Sequence, residues 1–128
     1  MDVGLRNARL NFRQFNPGHL MENILYNELV CRGYAVDVGV VTDRTNGQNK
    51  QLEIDFVVNQ NDKRMYIQSA YQIDSAQSEN RETVSLRLTG DFFRKVIIQK
   101  DLPITYQDEN GILHLNTTDF LLSFDMPF

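Results

Sequence analysis

The strongest constraint on this chain is a pair of alternating segments, Gln51–Val58 and Met65–Gln72, separated by the polar run Asn59-Gln-Asn-Asp-Lys-Arg64. Period-two alternation over eight residues specifies half-buried strands, and the polar run suits a hairpin connection. In the first segment Leu52, Ile54 and Phe56 are expected on one face, and Glu53 and Asp55 on the other. In the second, Ile67, Ser69 and Tyr71 alternate with Gln68, Ala70 and Gln72. Paired across the turn, the strands are expected to present Glu53, Asp55, Gln68 and Ala70 on a single face. A carboxylate on one strand then stands beside a Gln-x-Ala triplet on the next.

The flanking sequence supplies the layers that such a hairpin needs. Asn16 can cap a helix, Pro17 fits its first turn, and Gly33 after Arg32 can end it. Within Pro17–Arg32, Leu20, Met21, Ile24, Leu25 and Leu29 form a broad apolar stripe suited to covering a sheet. Glu22 borders that stripe. It is either a solvated helix acid or a carboxylate leaning over the sheet toward Asp55.

Ala35–Val41 reads as a strand, and Thr42–Lys50 as a polar connection into Gln51. Further on, a helix through Asn80–Leu88 is expected after the capping residues Asp74–Glu79. Thr83, Val84 and Leu88 are expected to face inward, and Arg81 and Arg87 outward. Phe92–Gln99 reads as a strand, Asp108–Gly111 as a turn into Ile112–Leu115, and Asn116-Thr-Thr118 as the start of a short helix. Leu5, Ala8 and Phe12 stand at helical spacing near the start. The order of elements points to an α/β domain, a mixed central sheet of Ala35–Val41, Gln51–Asn59, Arg64–Tyr71 and Arg94–Gln99 flanked by helices.

The 128 residues suit one domain, with hydrophobic residues at 41% and charged residues at 23%. A net charge of -4 gives no global attraction to nucleic acid, so any such binding would need a local patch. No stretch approaches the roughly 18 apolar residues of a membrane helix, and no basic-then-apolar leader precedes the domain, so a cytoplasmic protein without membrane partners is expected. The one cysteine, Cys31, falls in an apolar helical pattern and is expected to be a small buried hydrophobe. Glycine-rich phosphate loops are absent from the sequence. His19 and His114 lack zinc-ligand spacing and are expected at the surface and in a structural role.

The carboxylates are what remain. Magnesium-dependent phosphodiester hydrolysis uses hard oxygen ligands and an activated water, which acids on adjacent strands and a helix can supply. Asp55 fits the strand ligand, with Glu22 and Glu53 as helpers, while Gln68 offers a neutral carbonyl oxygen. Ala70 carries no cation to activate water, and Lys63 lies in the turn rather than beside the acids.

Taken in order, several segments resemble one family: Gly4-Leu-Arg-Asn-Ala8, Gly18–Leu29, Arg32-Gly-Tyr34, Glu53-Ile-Asp-Phe56, Tyr66-Ile-Gln68, Arg81-Glu82, and Gly111–Asn116 with Asp119–Leu122. It is the C-terminal domain of unknown function found in many prokaryotic AAA-superfamily ATPases, similar in turn to PD-(D/E)XK nucleases of restriction-endonuclease-like fold. The resemblance spans nearly the whole chain. It implies that residues 1–128 are a single nuclease-like domain, a C-terminal fragment whose ATP-binding part lies in a missing N-terminal portion of the same polypeptide. By this likeness Glu22 matches the helix acid, Asp55 the strand acid and Gln68 the second acid, while Ala70 departs from the lysine. The resemblance thus implies a catalytically degenerate accessory or regulatory domain, with that ATPase portion as its partner. The alternative is an active nuclease using Mg²⁺ at Glu22, Asp55 and Gln68.

Overall fold

A computed structural model describes residues 17–44, 47, 49–71 and 76–123, with the side chains of residues 76–79 and 81 outside the description. Leu5, Ala8, Phe12, Asn16 and the capping residues Asp74 and Ser75 fall outside the described residues, as does the side chain of Arg81. Helix α1 spans Pro17–Cys31 and leads into a meander of β1 (Ala35–Asp43), β2 (Lys50–Gln60) and β3 (Lys63–Ala70). Helix α2 (Ala76–Arg87) crosses to β4 (Arg94–Gln99), followed by β5 (Tyr106–Gln107), β6 (Leu113–Asn116) and α3 (Thr117–Leu122). One mixed sheet results, in the order β1-β2-β3-β4-β6-β5. The β1–β2 and β2–β3 pairs are antiparallel, as is β5–β6, while β3–β4 and β4–β6 are parallel. The expected α/β architecture, a mixed sheet flanked by helices, is observed.

Two apolar layers sandwich the sheet. Met21, Leu25 and Leu29 of α1 pack with Phe56, Val58, Met65, Ile67, Val96, Ile98 and Phe120. On the opposite face Leu86 of α2 packs with Ile54, Val57, Tyr66, Ala70, Ile97 and Ile112. The first helix buries a narrower stripe than expected. Ile24 is exposed, while Asn23 is buried with its amide donating to the His19 carbonyl at 2.9 Å. Gly33, at φ +88°, ends α1: its N–H donates to Val30 and that of Tyr34 to Leu29. Only a residue without Cβ adopts that backbone cheaply.

At the last turn of α1, Arg32 reaches across the chain. Its guanidinium bonds Glu28 at 2.9 Å, donates to the Phe120 carbonyl at 3.1 Å and lies 5.0 Å from the Phe120 ring centroid. The cap of α3 is as the sequence indicates, with the Asn116 side chain accepting from the Thr118 N–H at 2.7 Å. The Asp108–Gly111 turn also closes as expected, the Gly111 N–H donating to the Asp108 carbonyl. His114 is structural: wholly buried, bonded to Asp108 at 2.9 Å and to Gln99 at 3.1 Å, and stacked on Tyr106. Because an amide nitrogen donates to Nδ1, the proton sits on Nε2, which donates to Asp108.

Several expectations need correction. Leu52, Ile54 and Phe56 do not share a face, since Ile54 packs toward α2 and Phe56 toward α1. The cause is a β-bulge: Asp37 pairs with Val57 but Gly39 with Ile54, so β2 carries one extra residue. Leu88 is exposed beyond the end of α2, and Leu86, with Thr83 and Ser85, forms the inward face. Cys31 is exposed rather than buried, because it sits on the outer side of the last turn of α1. Phe92 and Phe93 precede β4 rather than belonging to it, held off the ladder by the Asp91 carboxylate, which takes the Phe93 N–H.

The bulge depends on Gly39. A Cβ there would lie 2.7 Å from Cγ2 of Val57 and 3.2 Å from Cβ of Ile54. Gly39→Ala is therefore expected to destabilise the fold by about 1–3 kcal/mol, as overpacking does. Gly39→Ala combined with Val57→Ala should cost less than the sum of the single changes. Denaturant unfolding of the three variants checks both statements, and strict additivity would contradict the steric account.

Candidate functional site

The bulge shapes the candidate site as well as the core. Regular β2–β3 pairing runs from Gln60–Lys63 to Phe56–Ile67 and stops there. At the next position side chains replace the ladder. The Asp55 N–H donates to Oε1 of Gln68 at 2.8 Å, and the Ser69 N–H donates to Oδ2 of Asp55 at 2.8 Å. Each strand thus satisfies a backbone group with a side chain of its neighbour, and the strands part without orphaning a donor.

Where they part, a cleft of about 380 Å³ opens between α1 and the sheet. It is lined by Glu22, Asn23 and Tyr26 of α1, Val38 of β1, and Glu53, Asp55 and Phe56 of β2. Glu22 and Asp55 therefore lie on the α1 side of the sheet, lining one cleft. Glu22 stands at the rim, its side chain 43% exposed and 3.9 Å from His19. Tyr26, one turn further along α1, packs near Phe56 with ring centroids 6.5 Å apart.

Gln68 and Ala70 lie elsewhere. Both side chains fall on the α2 face with Tyr66, so the expected single face of Glu53, Asp55, Gln68 and Ala70 does not form. Gln68 is buried, and its amide nitrogen donates to the Ser85 hydroxyl of α2 at 3.1 Å. With its oxygen on the Asp55 N–H, it works as a tie between strand and helix. Ala70 is buried against Leu86 and its neighbours, so a lysine here would enter an apolar layer. The face of each residue follows from the bulge, which moves Asp55 toward α1 while leaving β3 in regular alternation.

Burial raises the Asp55 carboxyl above its ordinary value of 3.8; the Ser69 N–H opposes the rise and the charge of Glu53 adds to it. Asp108 shows the reverse balance. Burial would raise it, but hydrogen bonds from His114, Ile112 and Asn110 together hold it below the usual carboxylate range.

The cleft offers hard oxygen donors of the kind magnesium prefers. Among the described residues, however, no three His, Cys, Asp or Glu side chains converge closely enough to hold a metal ion. Gln68 cannot complete the set while its oxygen accepts from Asp55 N–H. The arrangement does not fit a three-ligand Mg²⁺ site.

Tyr26, Val38 and Phe56 as cleft walls, and Ser69 and Ser85 as partners of the ties, were not singled out by the sequence. Gly39 was the available signal, because an isolated glycine inside a strand pattern marks a bulge or a close approach. Ser85 carries no signal of its own.

No protein-family profile matches the chain. It is similar to an uncharacterized protein of Haemophilus influenzae, 33% identical over 98 residues that make up 77% of this chain and 22% of that relative. The chain thus spans less than a quarter of the length of the relative it matches. Within the described residues no helix is long and apolar enough to cross a membrane.

Two predictions follow from the ties and the charge. Gln68→Ala removes the amide's bonds to the Asp55 N–H, the Ser85 hydroxyl and the Glu53 carbonyl and is expected to cost about 1–3 kcal/mol in denaturant unfolding, the range for a stranded buried polar group. For Asp55 the native state holds its proton more tightly than the unfolded chain. Its contribution to stability is therefore greatest at acid pH and falls as pH rises above the ordinary carboxylate range. Asp55→Asn keeps an oxygen for the Ser69 N–H and removes the charge. The variant should gain on the native protein as pH rises toward neutrality, which unfolding midpoints measured across the pH range will read; a constant offset would contradict the burial argument.

Proposed function

We propose that this chain is a catalytically degenerate PD-(D/E)XK-like module, serving as an accessory or regulatory domain of an AAA-superfamily ATPase. The observation that carries the reading is the use made of position 68. In an active site of this type an acid there would ligate metal; here an amide bridges the Asp55 backbone and Ser85 of α2. On this reading the strands part where a metal site would stand, and structural hydrogen bonds take the place of its chemistry.

Three further points support it. Asp55 and Glu22 line the same cleft, as a descendant of such a site would have it. Ala70 provides no cation near the acids and packs in the α2 layer. The relative is several times longer than the region it shares with this chain, as expected if the module occurs inside larger polypeptides. The ATPase portion of the same polypeptide would be its partner, ATP would bind there, and the compartment would be the cytoplasm.

The test is a cleavage assay of the purified chain with Mg²⁺ or Mn²⁺ on linear, supercoiled and branched DNA and on RNA, with Asp55→Ala in parallel. No metal-dependent cleavage above the variant is expected, because losing a positioned acid–base group alone costs about 10²–10⁴-fold. Metal-dependent cleavage abolished by Asp55→Ala would overturn the proposal in favour of an active nuclease. The same assay on a longer polypeptide carrying this module, with ATP, tests whether the ATPase restores activity.

A further inference from the structure

The loop from α2 to β4 is tightly tied yet holds a phenyl ring in water. The Asp91 carboxylate accepts from the Tyr66 hydroxyl at 2.5 Å, from the Phe93 N–H at 3.1 Å and from Lys95 Nζ at 3.3 Å. Lys95 also donates to the carbonyls of Asp91 at 2.9 Å and Phe93 at 3.0 Å. Phe92, between those two residues, is fully exposed, at 106%. Phe93 is 41% exposed and lies 5.7 Å from the Arg64 guanidinium. An ordered loop that keeps a large apolar group in solvent marks a contact surface, and aromatic rings beside arginine are the usual anchors of one.

This end of the sheet is also cationic. Lys63 and Arg64 open β3 just after the β2–β3 turn, and Arg94 opens β4 in register with Met65. Asp62 is the opposing acid in that turn, since Asp91 is engaged with Lys95. In a chain of net charge -4, the cluster stands out.

The complementary surface lies on the same molecule. The cleft combines the carboxylates of Glu22, Glu53 and Asp55 with walls from Tyr26, Val38 and Phe56. Val38, 65% exposed, and Val40, 57% exposed, are the apolar side chains of the edge strand on the side where the cleft opens. At about 380 Å³ the cleft is near the lower end of the roughly 300–1,000 Å³ typical of small-molecule pockets, which leaves room for a phenyl ring.

The chain cannot place its own Phe92 in this cleft. At about 3.3 Å per residue, β2 from Asp55 to Gln60 alone spans roughly 17 Å, and the aromatic loop lies at the far end. A projection at one end and a matching recess at the other define a heterologous contact, which builds rings or filaments. We infer that copies of this chain associate head to tail. The Phe92 ring of one enters the acidic cleft of the next, and Lys63 and Arg64 face Glu22 and Glu53. This does not depend on the accessory-module reading, because it uses the cleft's shape and charge and no metal.

Sedimentation velocity of the chain from micromolar to millimolar concentration tests it. Reversible association is expected, weakening at high salt as a charged contact should. Phe92→Ser, at a position that touches no core, should weaken association by roughly tenfold or more. Glu53→Lys, on the recess side, should do the same. The decisive arm mixes the two variants in equal amounts. One retains the recess and the other the projection, so the mixture should form dimers and nothing larger. A monomer throughout the range, association indifferent to Phe92→Ser, or a mixture no more associated than its components would each overturn the inference. So would a monomer that binds a single-stranded oligonucleotide through Phe92, which would assign the loop to nucleic acid instead. Circular dichroism of each variant confirms the fold.

Discussion

Everything distinctive in this molecule depends on the extra residue in β2. A strand of strict period two would put Asp55 on the α2 face with Val57, inside an apolar layer and against Leu86. The bulge moves it to the α1 side, where a carboxylate reaches both solvent and the Ser69 N–H. The same step leaves Ile54 facing α2 and fills the layer that Asp55 has vacated. One added residue thus resolves a conflict between a charge and a core. It is tolerated because Gly39 presents no Cβ to Val57 across the pair.

The bulge would be costly without Gln68 and Asp55 to close it. Where the β2–β3 ladder ends, two half-buried amide donors would lose their acceptors. Reciprocal side-chain bonds supply both acceptors, and the nitrogen of Gln68 fastens the junction to Ser85. The separated strands are therefore held by side chains where the ladder ends, beside the cleft between α1 and β2. An amide at residue 68 serves this junction without a charge: its oxygen takes the Asp55 N–H and its nitrogen gives to the Ser85 hydroxyl, so no carboxylate has to be desolvated at a buried position.

The sheet and its first helix were legible from sequence because their signals are local. Alternation sets β2 and β3, and Gly33 ends α1 through a backbone angle that few residues adopt. Asn116 and the Asp108–Gly111 turn were legible for the same reason. Face assignment failed where it depended on pairing: Ile54 and Phe56 look equivalent until β1 lies beside them. In α2, the sequence does not reveal that Ser85 faces the strands, because what draws it in is Gln68, far away in the chain. For Glu22 the sequence left two readings open, a solvated acid or one leaning toward Asp55; it stands at the exposed rim of the cleft that Asp55 lines, and the apolar stripe beside it is narrower than its composition implied.

Arg32 has a wider reach than its place at a helix end indicates. α3 has six residues, too few to persist as a helix in water, and at its end only the Ser123 N–H closes back, onto the Phe120 carbonyl, among the described backbone bonds. The guanidinium supplies donors to Phe120 and covers its ring, while Glu28 fixes the arginine's own direction. The second helical turn at the carboxyl side is thereby made conditional on the last turn of α1. Two segments 88 residues apart, at Arg32 and Phe120, are tied end to end, and an opening that breaks this bond loosens both helix ends together.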